Sequence, residues 1–486
     1  MALAIMPRSI PLISLLALLS CAEQKPPPNI IYILADDLGY GELGSYGQDK
    51  IRTPNLDRLA AEGMRFTEHY AGSPVCAPSR DTILTGYHTG HAYIRDNDEM
   101  DDRGDVWNDP DLEGQRPLLA GTVTIGNLLQ DAGYVTAAIG KWGLGWVGSS
   151  GDPNEQGFDH FYGYICQRIA HNYYPTHLWR NGEKDRLDNE NLSPRQRLPE
   201  GADPASASSY EGYSGRDYAM DFLTEEALAF VIENRSRPFF LYLPYVVPHL
   251  ALQVPGDSLA EYENAFDEEP YLGDNGYLPH PKPRAAYAAM ITRMDRDIGR
   301  LLELLDALGL AENTVVMFSS DNGPSWVGGV DREFFESTGG LRGRKAELYE
   351  GGIRIPLIVR WPGHIEAGAV SDRISASWDL LPTFTELAQA RTPDGIDGLS
   401  LLPALTGNEL GPVHDYLYWE FQGVQAIRRG RFKAIRHGVE EPTELYDLLD
   451  DPGESIDVAS EHPDIVREML LLFSSARVES ELFPLS

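Results

Sequence analysis

The sequence predicts an α/β fold: a large mixed, mostly parallel sheet sandwiched by helices, with a smaller α+β subdomain at its C-terminal end. Three observations lead there. Nearly continuous apolar runs such as "NIIYILADD" (29–37) and "PFFLYLPYVVPH" (238–249) are what strands buried on both faces require. Between such runs lie segments whose apolar residues recur at helical spacing. The two kinds of segment alternate to about residue 400, the order produced by crossover helices returning to a parallel sheet.

The elements follow in chain order. Residues 1–21 read as an export signal: Arg8 precedes an apolar run from Ile10 to Leu19 that is too short to span a membrane stably. Leu18-Leu19-Ser20-Cys21 has the form of a bacterial lipobox, which predicts a lipidated Cys21 as the mature N-terminus; the alternative is an ordinary secretion signal with an incidental cysteine. Residues 22–28 form a tether stiffened by Pro26 to Pro28. The expectation is an exported protein, periplasmic or at the cell surface, that meets membrane only through a lipid anchor.

The main domain is expected over 29–400. Its first strand ends in Asp36-Asp37. "TPNLDRLAAEGMRF" (53–66) places Leu56, Leu59 and Ala60 at helical spacing behind a Thr53-Pro54 start. "TVTIGNLLQDAGYVTAAIGKWG" (122–143) reads as a helix, a stop at Gly133, then a strand running into Lys141. From Arg284 to Leu308, Tyr287, Met290, Ile291, Met294, Ile298, Leu301, Leu302 and Leu305 make one apolar stripe, ended by Gly309. "TVVMFSSDNG" and "IRIPLIVRWPG" supply two further strands. The polar stretches 185–215 and 255–283 read as insertions lining a substrate cleft. Over 401–486 the texture changes to a meander, "YLYWEFQGVQAIRRGRFKAIRHG", and a closing helix, "HPDIVREMLLLFSSA".

Asp and Glu number 74 against 40 Lys and Arg, a formal net charge of −34. Non-specific nucleic-acid binding is excluded, because phosphate would be repelled overall. An anionic substrate would have to be drawn in by a local cluster of basic groups, and activity should tolerate salt.

In open α/β sheets, ligands bind beyond the carboxyl ends of the strands. Two strands here end in hard oxygen donors, Asp36-Asp37 and Asp321-Asn322. Brought together, such a set suits Ca²⁺ or Mg²⁺ rather than zinc; taken singly, each pair also fits a solvated loop or a helix cap. The stretch "SPVCAPSRDTILTG" (73–86) sets one of only three cysteines, Cys76, at a helix start, with Pro78 near the first turn and Arg80 one turn in. A bare thiolate nucleophile fits that setting. A disulfide with Cys166 would leave the Cys-Ala-Pro-Ser-Arg context unexplained.

Cys76-Ala77-Pro78-Ser79-Arg80, with "LTG" beyond it, resembles the Cys-x-Pro-Ser-Arg signature of the type I sulfatases, members of the alkaline phosphatase superfamily. The resemblance runs through "PNIIYILADDLGYGELGSYG", "GKWGLG", "PFFLYLPYVVPH", "SSDNG", "GRKAELYEGGIRIP" and "ELYDLLDDPGES", nearly the whole mature chain. It implies an alkaline-phosphatase-like fold and hydrolysis of sulfate esters. It also implies that a separate maturation enzyme oxidises Cys76 to formylglycine, whose hydrate carries a nucleophile and an internal means of releasing sulfate. By motif position it implies one Ca²⁺ held by Asp36, Asp37, Asp321 and Asn322 with residue 76. Arg80 would stabilise the ionised nucleophile, Lys141 would bridge nucleophile and sulfate, and His249 and Lys345 would hold sulfate oxygens, with His249 protonating the leaving oxygen.

The sequence departs from that pattern at one place. Many members read Gly-Lys-Trp-His where this chain has Lys141-Trp142-Gly143. The candidates to replace that histidine are His171 and His177 of "CQRIAHNYYPTHLWRNGE"; the alternative is release that relies on water. That phrase, "GYHTGHAYIRDN" and "GKWGLG" resemble a branch acting on sulfated carbohydrates, which points to galactose-type 4-sulfates. His91, Arg95, His171, His177 and Arg342 are candidate substrate contacts, against loop scaffolding as the plainer reading. Two other functions fit the same residues: a phosphonate or phosphodiester hydrolase of the superfamily, and a catalytically silent glycan-binding lipoprotein.

Overall fold

The computed structural model describes residues 27–485 apart from 99, 101–102, 104–105, 108, 110–111 and 409–410. The predicted signal segment and Cys21 lie outside the described residues.

The large sheet runs in the spatial order Ala369–Ser371, Met64–Tyr70, Arg354–Arg360, Thr314–Ser320, Asn29–Asp36, Phe239–Pro248, Val135–Lys141, His160–Tyr164, His177–Arg180, Glu183–Arg186, with Ser375–Ala376 also pairing with Met64–Tyr70. The strands through its centre, from Thr314–Ser320 to His160–Tyr164, are parallel. Arg354–Arg360 runs antiparallel to both of its neighbours, so the sheet is mixed, as predicted. All eight residues of Asn29–Asp36 and all ten of Phe239–Pro248 are buried, which is why those runs lack polar alternation. The outermost strand Glu183–Arg186, partly exposed, opens the insertion that follows.

Helices cover both faces. The longest, Pro283–Ala307, buries the apolar stripe seen in the sequence and stops before Gly309, whose φ of 68° suits a residue just past a helix end. The helix predicted ahead of Gly133 spans Ile125–Asp131 and is capped reciprocally by Thr124 and Asn127. Beyond residue 416, the strands Leu417–Phe421, Val424–Arg429, Phe432–Arg436 and Thr443–Asp447 form an antiparallel sheet. Strand alternation sorts its side chains: Leu417, Trp419, Ala426 and Ile435 pack with Tyr70, Ile353 and Trp378 of the main domain. Tyr418, Ile427 and Ala434 pack with Met469 and Phe473 of the helix Pro463–Ser475. Among the described residues no helix is long and apolar enough to cross a membrane.

Candidate active site

The strand order places the site. Asn29–Asp36 and Thr314–Ser320 are neighbours in register, Ala35 opposite Ser320, so their ends bring Asp36-Asp37 beside Asp321-Asn322. Asp37 turns the chain out of the sheet at φ 66°. Its N–H donates to Asp321 Oδ1 at 3.1 Å, and Leu38 N–H donates to Ser320 Oγ at 3.0 Å. Phe239–Pro248 and Val135–Lys141, the next strands outward, deliver His249 and Lys141 to the same edge.

The helix Cys76–Thr85 is buried along its whole length and points its first residue at this edge. Cys76 Sγ lies 3.4 Å from Asp36 Oδ1 and 3.4 Å from Lys345 Nζ. Arg80 donates to Asp321 Oδ2 at 2.9 Å and to the Lys141 carbonyl at 2.6 Å, and stands 3.4 Å from Asp36. Lys141 Nζ donates to Asp36 Oδ2 at 2.5 Å, and Lys345 Nζ meets Asp37 Oδ1 at 2.7 Å. Three carboxylates thus face three basic groups, and the cluster is electrically balanced before any ligand enters.

His249 donates Nδ1–H to the Leu250 carbonyl at 2.8 Å, because a carbonyl can only accept. Its Nε2 is left facing Asp37 Oδ2 at 3.7 Å. His171 stacks on His249 with ring centres 4.6 Å apart, and Tyr277 stands 5.5 Å from His171. Burial, with Lys345 and Lys141 nearby, holds the His249 imidazole well below its usual range.

A cation fits this donor set. One ligand atom each from Asp36, Asp37, Cys76 and His249 lies within 4.8 Å of the others, and Asn322 Oδ1 is buried with no donor reaching it. An oxygen left unpaired in a buried site is an offered ligand, and carboxylate and amide oxygens suit a hard ion. His249 joins this group more closely than Asp321, whose oxygens are taken by Asp37 N–H and Arg80.

A model of the sulfatase family matches residues 28–390 of the sequence, and a model described as N-sulphoglucosamine sulphohydrolase, C-terminal, matches residues 344–474. The chain belongs to the sulfatase family. It is 33% identical to human arylsulfatase A over 95% of this chain and 89% of that protein. It is 28% identical to an N-acetylgalactosamine-6-O-sulfatase of Bacteroides thetaiotaomicron over 97% and 99% of the two chains. The crystal structure of Ps i-CgsB in complex with k-i-k-neocarrahexaose superposes with a TM-score of 0.72, at 29% identity over 93% of this chain and 94% of that one. The protein is accordingly a sulfuric ester hydrolase with the alkaline-phosphatase-like fold, and its family generally uses formylglycine and a divalent metal.

In this sulfatase the unmodified thiol is a poor nucleophile. Burial, with Asp36 adding to it, pushes the Cys76 pKa up to about 12, so with no cation bound the sulfur keeps its proton at neutral pH. Cys76 and Cys166 are both buried and free, with no disulfide between them.

Of the candidate substrate contacts, the structure brings only His171 to this cluster. His177 pairs with Glu113 at 2.7 Å. Arg95 is buried against Glu420 at 2.7 Å and the Val478 carbonyl at 3.1 Å, at the edge of a cavity closed by the C-terminal segment. Arg342 donates to Tyr446 and to the Glu454 carbonyl and lies 3.8 Å over the Tyr349 ring. His91 donates to Asp397, which also takes the His88 backbone N–H. His88, His91 and Asp397 have the spacing of a second metal site, but His88 Nδ1 accepts the Gly90 N–H at 3.1 Å. That bond fixes the proton on Nε2, the atom a metal would need bare, so the trio is a hydrogen-bonded brace.

Sequence reasoning missed Asn97, which accepts the Ala77 N–H at 2.9 Å beside Cys76, and Tyr277, at φ 63° on the cleft side of an insertion. Neither belongs to a spacing that could have announced it. Gln167 was missed too, although it stands next to Cys166 in a quoted phrase.

Proposed function

We propose that this sulfatase is exported, is anchored by lipid on Cys21, and hydrolyses sulfate esters on sulfated carbohydrates, with galactose-type 4-sulfates as the first candidates. The observation that carries the reading is Cys76 on the first turn of a buried helix, in contact with both Asp36 and Lys345. Support for a sugar substrate comes from relatives of nearly full length named for sulfated amino sugars and from the 29%-identical structure solved with k-i-k-neocarrahexaose.

Formylglycine at position 76, made by a separate maturation enzyme, would supply a geminal diol: a nucleophile whose second hydroxyl gives sulfate a way out. Asp36, Asp37, Asn322 and Asp321 would hold Ca²⁺, which would lower the nucleophile's pKa and polarise a sulfate oxygen. The chain's own groups do the rest. Arg80 spans Asp321, Asp36 and the Lys141 carbonyl, which fixes the carboxylates and the lysine relative to residue 76. Lys141 and Lys345, within 2.5–2.8 Å of carboxylates, would turn from them to sulfate oxygens, and a bound divalent ion would make the balanced cluster net positive. His249 meets the leaving oxygen with Nε2. It is neutral in the free enzyme, and an anionic ester beside it favours the protonated ring that must give up its proton.

The test is mass spectrometry of the peptide containing residue 76, from protein made in its native host, with hydrazide trapping of any aldehyde. An aldehyde there, with turnover on a panel of galactose 4-sulfate, N-acetylgalactosamine 6-sulfate and carrageenan oligosaccharides, is the expected result. An intact thiol in active protein overturns the mechanism. Turnover of phosphonate monoesters in preference to every sulfate ester overturns the substrate class.

A further inference from the structure

At Gly143, where the sequence departs from many family members, the backbone lies in the left-handed region at φ 80°. A β-carbon there would stand 2.5 Å from Gln167 Cγ, 2.9 Å from its Cδ and 3.2 Å from its Oε1. The space a side chain at 143 would occupy is therefore filled, and its occupant is a buried amide. Gln167 is 5% exposed, and its Oε1 has no donor in reach.

The base of this side chain is fixed. Gln167 N–H donates to Gln115 Oε1 at 2.7 Å, and Gly143 N–H donates to the Ile165 carbonyl at 3.3 Å, so the two loops are tied together. The tip is only half engaged. Gln167 Nε2 reaches Asn97 Oδ1 at 3.5 Å, and the same oxygen accepts the Ala77 N–H at 2.9 Å. Ala77 follows the nucleophile directly. Gln167 is thus two contacts from residue 76, and one of its two polar atoms is unspent.

We propose that Gln167 takes the place of the side chain absent at Gly143. It is a positioning residue: it steadies Asn97 against the Ala77 N–H and offers Oε1 to a hydroxyl, supplied by oxidised residue 76 or by the bound sugar. An amide oxygen is not basic enough to remove a proton, so its part is to orient that hydroxyl, while water or the departing sulfate takes the proton. The hydroxyl half of the inference rests on the sulfatase chemistry proposed above; the Asn97–Ala77 half does not.

Gln167→Met tests it, because methionine keeps the length and volume and removes both amide atoms. Hydrogen exchange of the peptide carrying Ala77 should quicken about tenfold in this variant, as expected when a buried hydrogen-bond partner is lost. Turnover should fall by about ten- to a hundredfold. A fall in kcat on aryl and sugar sulfates alike assigns the hydroxyl to residue 76; a rise in KM confined to sugars assigns it to the substrate. Gly143→Ala should reproduce the Gln167→Met effect, and the double variant should be no worse than either single one, because the new β-carbon already displaces Gln167. A methionine variant matching wild type in exchange and kinetics would reduce Gln167 to filler and overturn the proposal. So would two single effects that multiply. A wild-type enzyme inert on every sulfate ester would overturn the proposed function, while the exchange measurement still decides the role of Gln167.

Discussion

Two largely buried clusters in this protein have the same ionic formula and differ in what they leave unengaged. At the strand ends, Asp36, Asp37 and Asp321 face Arg80, Lys141 and Lys345. Where the C-terminal sheet meets the main domain, Glu68, Glu350 and Glu454 face Arg354, Arg428 and Lys433. Lys433 Nζ lies 3.0 Å from Glu350 and 2.9 Å from Glu454, and Tyr70 donates to Glu350 at 2.8 Å. Burial would push the Glu350 carboxyl up, but Lys433 and Arg354 outweigh it and hold the pKa near 2. Charge balance is the condition for burying either set, so balance does not distinguish them. The clusters differ in the kind of group left over: at the interface it is a donor, Arg354 Nη2, 3.9 Å from Glu68, whereas the strand ends leave an unpaired Asn322 oxygen, an imidazole nitrogen 3.7 Å from Asp37, and a sulfur at the first turn of a helix. A network whose acceptors are all engaged staples; one with an unspent acceptor can bind a cation.

The largest effect should come from breaking the staple. Lys433→Met leaves Glu350 and Glu454 facing each other without their shared cation, and breaking a buried pair in this way costs about 3–5 kcal/mol. The expected result is a lower denaturant midpoint that does not respond to added Ca²⁺, with kcat per folded molecule unchanged. A variant as stable as wild type would mean that the interface is held by Trp419, Trp378 and their apolar neighbours alone.

Next in size, Lys345→Met should act on turnover and only conditionally on stability. Losing one positive group that meets developing charge costs about 10²–10³ in kcat/KM. Asp37 would also lose its partner, but a divalent ion replaces that partner. The variant should therefore be destabilised in chelator and restored by Ca²⁺, at a level set by mass action on the bound ion. Thermal melts of both lysine variants, each with EGTA and with Ca²⁺, separate the clusters in one experiment. Identical metal responses would remove the distinction drawn between them.

Much of the main domain was legible because its strands are buried on both faces and its longest helix carries an uninterrupted stripe; such periods are local. The site residues at strand ends were legible for the same reason, since Asp36, Lys141, His249 and Asp321 each close a run that can be recognised. Residues held by loops were not. Arg95, His177 and Arg342 read as candidate substrate contacts, yet each is spent on Glu420, Glu113 or Tyr446, partners between 64 and 325 positions away in the chain. Gln167 carried no signal of its own, because its meaning comes from the missing side chain at Gly143. Pairings of this kind are set by tertiary approach, and no period in the sequence records them.

Asp81 supplies the smallest effect and a third case beside the two clusters: a buried carboxylate without a cation of its own. It lies on the Cys76–Thr85 helix, 1% exposed, and accepts the Ile94 N–H at 2.8 Å. The nearby Arg95 is committed to Glu420. Burial pushes the Asp81 pKa up to about 7, against the pull of the Ile94 N–H. The folded-state pKa exceeds the unfolded one, so between about pH 4 and 7 the native state binds the extra proton and stability falls as pH rises. Above pH 7 the penalty is complete. Asp81→Asn keeps an acceptor for Ile94 and cannot ionise, so its stability relative to wild type should climb through that window by about 1–3 kcal/mol and then level off. Urea melts of both proteins at pH 5, 6, 7 and 8 measure the climb. A constant difference across the series would mean that Asp81 is ionised throughout, stabilised by the helix and by Arg95 despite its burial, and that a buried carboxylate here does not need the partners the two clusters provide.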